Sequence, residues 1–144
     1  LWNVIKSVDM FLLNDEEAIQ LTNKTNIYDA ANILLESGPS VIVIKQGGNG
    51  ALLAYNDVRI QVPVFPIDKL IDPTGAGDSF AGGFVGHLVN HGKDDLIEAV
   101  IAGAAIASFT VSGFGVNGLL EANVNSIQTR RDIIRVSMKK IKTI

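Results

Sequence analysis

A layered α/β fold is what this sequence predicts: a mostly parallel sheet, helices on both faces and a small antiparallel portion. Three observations carry that expectation. An apolar run at residues 8–13, an amphipathic helical pattern at 27–37 and a β-branched run at 41–44 follow one another as strand, helix, strand. In one sheet that order means a right-handed crossover between parallel strands. A glycine-marked turn then leads into the short runs Ala51-Leu52-Leu53-Ala54-Tyr55 and Val58-Arg59-Ile60-Gln61-Val62, the second alternating like an antiparallel edge strand. Beyond them lie apolar helical patterns, of which 96–111 is apolar almost all round and should be buried.

The elements follow in order. Residues 8–13 read as a strand buried on both faces. Asn14 and Asp15 can cap the next helix, and Asp15, Glu16 and Glu17 place negative charge in its first turn, where the dipole favours it. Ile27, Ala30, Ala31, Ile33, Leu34 and Leu35 form the apolar face of a helix that Gly38-Pro39 stops. Val41-Ile42-Val43-Ile44 has the composition of a central strand. In Lys45-Gln46-Gly47-Gly48-Asn49-Gly50, Asn49-Gly50 is a type I′ hairpin signal, and the glycines also let backbone approach a phosphate or ribose with Lys45 nearby; both readings can hold. The spacing is not a dinucleotide-binding fingerprint, since a strand follows, and no G-K-[ST] occurs in the chain. Asn56-Asp57 turns the chain, and Pro63 and Pro66 bracket a connection.

Asp72-Pro73-Thr74-Gly75-Ala76-Gly77-Asp78-Ser79-Phe80 comes next. Its small residues allow a tight turn with several N–H groups pointing into one concavity, and such a nest at a helix N-terminus binds phosphate. Asp78 is the informative residue. A carboxylate repels phosphate unless it takes a proton from a hydroxyl attacking that phosphate. The plainer reading makes Asp78 a first-turn acid and the glycines a turn.

The following helix places Phe80, Phe84 and Leu88 on one line with Ala81, Val85 and Val89 beside it, while Gly82, Gly83 and Gly86 suggest close packing on a neighbour or a nucleotide. His87 and His91, at i and i+4, could share a metal, but two surface histidines is the favoured reading. Gly92 fits a C-cap, and Asp95 with Glu98 resembles a capping box. Ser112-Gly113-Phe114-Gly115 ends the apolar helix. In the last helix, about 126–142, Ile127, Ile134, Met138 and Ile141 share a face, and Arg130, Arg131, Arg135, Lys139, Lys140 and Lys142 read as a solvated face rather than a nucleic-acid patch.

The string D-P-T-G-A-G-D-S-F-A-G-G-F closely resembles the C-terminal signature of the PfkB (ribokinase-like) sugar kinases. The resemblance implies a ribokinase-like Rossmann-type layered fold and ATP-dependent phosphotransfer to a hydroxyl of a sugar or related small molecule. By resemblance, Gly75, Ala76 and Gly77 with Asp78 form the anion hole, and Asp78 is the catalytic base. Thr74 adds a donor near the phosphates, and the family's glycine-bearing loop falls on Lys45, Gly47, Gly48 and Gly50. The family's N-x-x-E motif is matched by Asn14 and Glu17, which would help position Mg²⁺ and the phosphates; that role is preferred here to a purely helix-stabilising one. Asp72 and the loop at Gly113 correspond to the family's monovalent-cation site, so K⁺ is expected beside ATP and Mg²⁺; Gly113 can equally be a helix stop. The family pattern is matched in its C-terminal half only. The chain is therefore expected to be a single domain, residues 1–144, forming the ATP-binding portion of a longer kinase. Alone it should be inactive, and an open strand edge should make it self-associate. The rival expectation is a non-catalytic nucleotide-binding module.

Composition removes other classes. The chain has 144 residues, 47% hydrophobic and 19% charged, with net charge −3. That charge gives no general attraction to nucleic acid or acidic membranes. Cysteine is absent, which excludes disulfides and thiolate metal sites and suits a cytoplasmic protein. No basic stretch precedes an apolar run as in a signal peptide, and residues 99–111 are too few to span a bilayer.

Overall fold

The computed structural model describes residues 1–142, with side chains to residue 139. Two compact units divide the chain, Leu1–Gln61 and the part beginning at Val62. The first unit opens with a short helix α1 (Trp2–Ile5), whose Ile5 is fully buried. Then come β1 (Met10–Asn14), α2 (Asp15–Thr22), α3 (Ile27–Glu36), β2 (Val41–Lys45), β3 (Ala51–Tyr55) and β4 (Val58–Val62). The sheet order is β1-β2-β3-β4. β1 and β2 are parallel, with Met10 opposite Val41 and Asn14 opposite Lys45. The two strands are joined as the expected parallel pair, with α2 and α3 as the connecting helices.

Alternation across the pleat explains the packing. Ile42, Ile44, Leu52 and Ala54 share a core with Ala30, Ala31 and Leu34 of α3 and with Leu13 and Ala18. The alternate residues Val41, Val43, Ala51 and Leu53 are buried too. The central strands are thus buried on both faces, as their continuous apolar runs require.

Three expectations change in this unit. In β1 only Leu13 is buried, because among the described residues that strand has a sheet neighbour on one side alone. The parallel share of the sheet is a single pair: β2 and β3 are antiparallel, and β4 follows β3 across the two-residue turn Asn56-Asp57. The connection between β2 and β3 is not a type I′ turn. Gly47–Asn49 forms a 3₁₀ turn, closed by Gln46 N–H donating to the Gly50 carbonyl at 2.7 Å. Positive φ falls on Gly47 (54°) and Gly50 (89°), not on Asn49. Gly50 combines that φ with ψ −143°, a conformation close to glycine-only backbone.

In the second unit, residues 63–73 have no regular structure. Four helices follow: α4 (Ala76–His91), α5 (Leu96–Thr110), α6 (Asn117–Leu120) and α7 (Val124–Lys142). α5 is buried nearly all round, as expected, with Ala99, Val100, Ile101 and Ala105 fully enclosed. It lies against α4 where two glycines meet. A Cβ on Gly83 would stand 3.0 Å from the Ala102 carbonyl oxygen, and one on Gly103 would stand 2.8 Å from that of Phe80. Gly82 and Gly86, expected to pack closely too, have nothing within 4 Å of a notional Cβ among the described residues. The buried line of α4 is Phe80, Phe84 and His87, while Val85 and Val89 are exposed.

The polar residues of this unit correct several expectations. His87 is buried, not a surface residue: its Nε2 lies 2.7 Å from Asp95 Oδ2, and its ring stacks on His91 at 4.2 Å. Asp95 and Glu98 do not form a capping box, because Asp95 is committed to His87 and Glu98 to arginines of α7. Arg131 Nη2 donates to Glu98 Oε2 at 3.0 Å, and Arg135 grips the same carboxylate with Nε at 2.9 Å and Nη2 at 2.6 Å. The Arg130 guanidinium carbon lies over two aromatic rings, Phe65 at 4.5 Å and Phe109 at 3.6 Å. The expected solvated face therefore fails at these three arginines, each of which contacts another segment. Gly92 does cap α4, with φ 100°. α7 starts two residues early, where Asn123 Oδ1 accepts from Ser126 N–H and Ser126 Oγ from Asn123 N–H, each at 2.9 Å. Ile134 and Met138 are buried as expected; the side chains of Lys140, Ile141 and Lys142 lie outside the described residues.

Candidate functional site

The candidate residues fall in both units. In the first, Asn14 and Lys45 are register partners at the C-terminal ends of the two parallel strands, the end at which open α/β sheets bind ligands. Asn14 is the N-cap of α2. Its Oδ1 accepts from Glu17 N–H at 2.7 Å, and Glu17 Oε2 accepts from Asn14 N–H at 2.9 Å. This reciprocal capping box uses one oxygen of each side chain and leaves the second Glu17 oxygen without a hydrogen bond among the described residues. Next to Lys45, Gly47 needs its glycine for φ 54°, whereas Gly48 has nothing within 4 Å of a notional Cβ. No packing among the described residues demands a glycine at 48. The loop is braced by Gln61, whose Nε2 donates to the Asn49 carbonyl at 2.8 Å and whose Oε1 accepts from Gln46 at 3.1 Å. This brace has no sequence signal, since two glutamines 15 residues apart carry no pattern.

In the second unit the candidate loop is shorter than expected. α4 begins at Ala76, with Gly75 in the left-handed region as N-cap (φ 82°). Ala76, Gly77 and Asp78 are thus the first three helical residues. Ala76 N–H is taken by the Pro73 carbonyl at 3.1 Å. The N–H groups of Gly77 and Asp78 have no acceptor among the described residues, as for any first turn. Asp78 is exposed in that same turn, and Ser79 beside it shares a 2.7 Å hydrogen bond with Thr110 Oγ1.

Asp72 precedes the loop. Its Oδ1 accepts from Thr74 N–H at 3.0 Å. Hydrogen bonds from the Thr74 backbone and side chain, and a further one from the Gly115 backbone, hold the Asp72 carboxyl below its ordinary value. Asp72 and the loop after α5 are therefore brought together. Gly113 itself has a packing reason: its Cβ would stand 2.6 Å from the Gly118 backbone nitrogen in α6. The described residues contain no cluster of three or more His, Cys, Asp or Glu able to hold a metal ion. The exposed Glu17 oxygen that the capping box does not use is a donor of the hard type, as taken by a cation that arrives with phosphate oxygens.

The pattern described as pfkB family carbohydrate kinase matches residues 1–123. A nucleoside kinase of Methanocaldococcus jannaschii is 34% identical over 115 residues, covering 80% of this chain and 36% of that protein. A ribokinase of Staphylococcus aureus is 31% identical over 117 residues, 78% of this chain and 38% of that one. Among solved structures, the ribokinase of Thermotoga maritima superposes with a TM-score of 0.80 at 26% identity, over 90% of this chain and 44% of its own. The fold is therefore ribokinase-like. The chain spans between 24% and 41% of the length of the curated relatives it matches. No helix among the described residues is long and apolar enough to cross a membrane.

Proposed function

This chain belongs to the pfkB family of carbohydrate kinases, and we propose that it carries the ATP-handling part of an enzyme that phosphorylates a hydroxyl of a sugar or related alcohol. The observation that carries the reading is the start of α4, where the open N–H groups of Gly77 and Asp78 share a turn with an exposed carboxylate. In the reaction, the acceptor oxygen forms a bond to the γ-phosphorus of ATP, the bond from that phosphorus to the β,γ-bridging oxygen breaks, and ADP leaves. Asp78 takes the proton of the acceptor hydroxyl. The first-turn N–H groups and the dipole of α4 stabilise charge on the moving phosphoryl group, a preorganised arrangement with no reorganisation at the moment of reaction. Thr74, Lys45 and the backbone at Gly47, Gly48 and Gly50 hold the nucleotide. Mg²⁺, when bound, would supply charge neutralisation on the phosphates, and Asn14 and the second oxygen of Glu17 would help hold it. A cytoplasmic setting goes with this reading.

Asp78→Asn in the complete enzyme is expected to lower kcat by about 10²- to 10⁴-fold while leaving ATP affinity unchanged or slightly improved by the lost repulsion. Turnover within a few-fold of the parent would remove Asp78 from the mechanism. Asp72, kept ionised beside the loop that contains Gly113 and Gly115, is the proposed edge of a K⁺ site. Activity should then rise in K⁺ relative to Na⁺ and Li⁺, and a flat response across the three salts would reject the site.

A non-catalytic nucleotide-binding module has one observation on its side: the capping box gives Asn14 and Glu17 a structural duty without any metal. A phosphotransfer screen of the complete protein against sugars and nucleosides decides between the two.

A further inference from the structure

We infer that Arg130 is a positioning residue for the phosphate loop: it clamps the irregular segment that leads into that loop onto the end of α5. The inference rests on the phosphate-handling role given above to the start of α4.

Residues 63–73 have no secondary structure of their own, yet they deliver Asp72, Thr74 and Gly75 to the helix start. Such a segment is ordered only by what it is tied to. Two ties are present. At its far end the Ile71 and Asp72 N–H groups donate to the Val111 carbonyl, at 2.8 and 3.4 Å. At its near end the Phe65 ring lies under the Arg130 guanidinium, 4.5 Å from ring centre to carbon. The same guanidinium carbon lies over the Phe109 ring at 3.6 Å, and Nη1 donates to Ser108 Oγ at 2.8 Å. Ser108 and Phe109 are themselves buried. Arg130 thus contacts two phenyl rings, one from the irregular segment and one from α5, and is fixed by one hydrogen bond to α5. A flat guanidinium lies well over aromatic rings, and a point charge does so less well. Burial draws the guanidinium below its ordinary value.

The ties converge. Ser108 and Phe109 hold Arg130, Thr110 meets Ser79 in the first turn of α4, and Val111 holds Ile71 and Asp72. Four consecutive residues at the end of α5 therefore fix both sides of the phosphate loop, and Arg130 is the only one of the ties contributed by α7 among the described residues.

The test is amide hydrogen exchange of the protein without nucleotide, in Arg130→Met, Phe65→Leu, the double variant and Arg130→Lys. Either single change should accelerate exchange at 66–79 by roughly 3- to 30-fold, with α5 and the body of α7 unaltered. The double variant should do no more than the singles, because both break one contact. Arg130→Lys, which keeps a cation over the rings, should restore part of the protection. Affinity for Mg·ATP should fall in step with exchange in the two singles. Unchanged exchange at 66–79, acceleration spread over the whole unit, or additive effects in the double variant would each overturn the inference. Should Arg130→Met fail to fold, Phe65→Leu alone still decides, since it leaves the Ser108 and Phe109 contacts in place. A parent protein that binds no nucleotide would sink the phosphotransfer reading and leave the exchange result standing.

Discussion

At the scale of single residues, Glu98 shows how a charge on an apolar helix is made tolerable. It lies on α5, where its neighbours are buried, and two arginines of α7 reach its carboxylate. Hydrogen bonds from Arg135 first, and then from Arg131, outweigh the opposing effect of burial and pull its pKa from 4.5 to about 2. Arg135 is raised in return, chiefly by the same hydrogen bonds. The folded-state pKa lies below the unfolded one. The stabilisation is therefore complete above about 4.5 and is lost as pH falls toward about 2. Glu98→Gln should cost about 1–3 kcal/mol at neutral pH, since it leaves two guanidinium groups side by side and a buried Arg131 Nε already lacks a partner. Urea melts at pH 7 and pH 3 measure this: the gap between parent and variant should narrow at the lower pH. A gap that stays constant would mean that the carboxylate charge contributes nothing. None of this was legible in the sequence. Glu98 sits three residues after Asp95, which is also the spacing of a cap, and its true partners are more than thirty residues away.

At the scale of elements, the α4–α5 crossing is set by two glycines rather than by the three that the sequence singles out. Gly103→Ala would push a methyl against the Phe80 carbonyl and ring, at 2.8 and 3.1 Å. Overpacking of this kind costs about 1–3 kcal/mol, more than the gain of up to about 1 kcal/mol from replacing a helical glycine by alanine. Gly82→Ala and Gly86→Ala, with open space around them, should gain that amount instead. Melting temperatures of the three variants should therefore move in opposite directions, and a rise in Gly103→Ala would show that the helices can separate freely. The helices and strands themselves were legible, because periodicity is local: Val41–Lys45, Ile27–Glu36 and Leu96–Thr110 lie where their patterns put them. What periodicity could not give was which neighbour each face meets. Gly83 and Gly103 belong to different helices, and nothing in α4 distinguishes Gly83 from Gly82. The candidate loop was misjudged as geometry, since Ala76 and Gly77 are already helical. Arg130 was hidden because cation-rich helices usually face water, and Phe65 lies in a stretch with no pattern at all.

At the scale of the whole molecule, a chain with a ribokinase-like fold spans less than half of the structure it superposes on. On α4, Gly82, Val85, Gly86 and Val89 recur at i, i+3, i+4 and i+7; Val85 is 52% and Val89 78% exposed. Contiguous apolar surface of this sort favours association, so the 144-residue chain is expected to self-associate. Sedimentation equilibrium over a wide concentration range should show mass above the monomer, and Val89→Lys should reduce it; a monomer throughout would contradict the expectation. The capping box at the start of α2 bears on how such a protein ages through descent. Asn14 and Glu17 hold a helix together whether or not any reaction occurs. Selection for a foldable chain alone would keep them in a lineage that had abandoned catalysis. Asp78 has no such second employment: it is exposed, its carboxylate makes no hydrogen bond among the described residues, and it offers the helix only a weak dipole contact. On the reading proposed above it is the one of the three whose duty lies in turnover alone, and the first that would drift once turnover stopped mattering.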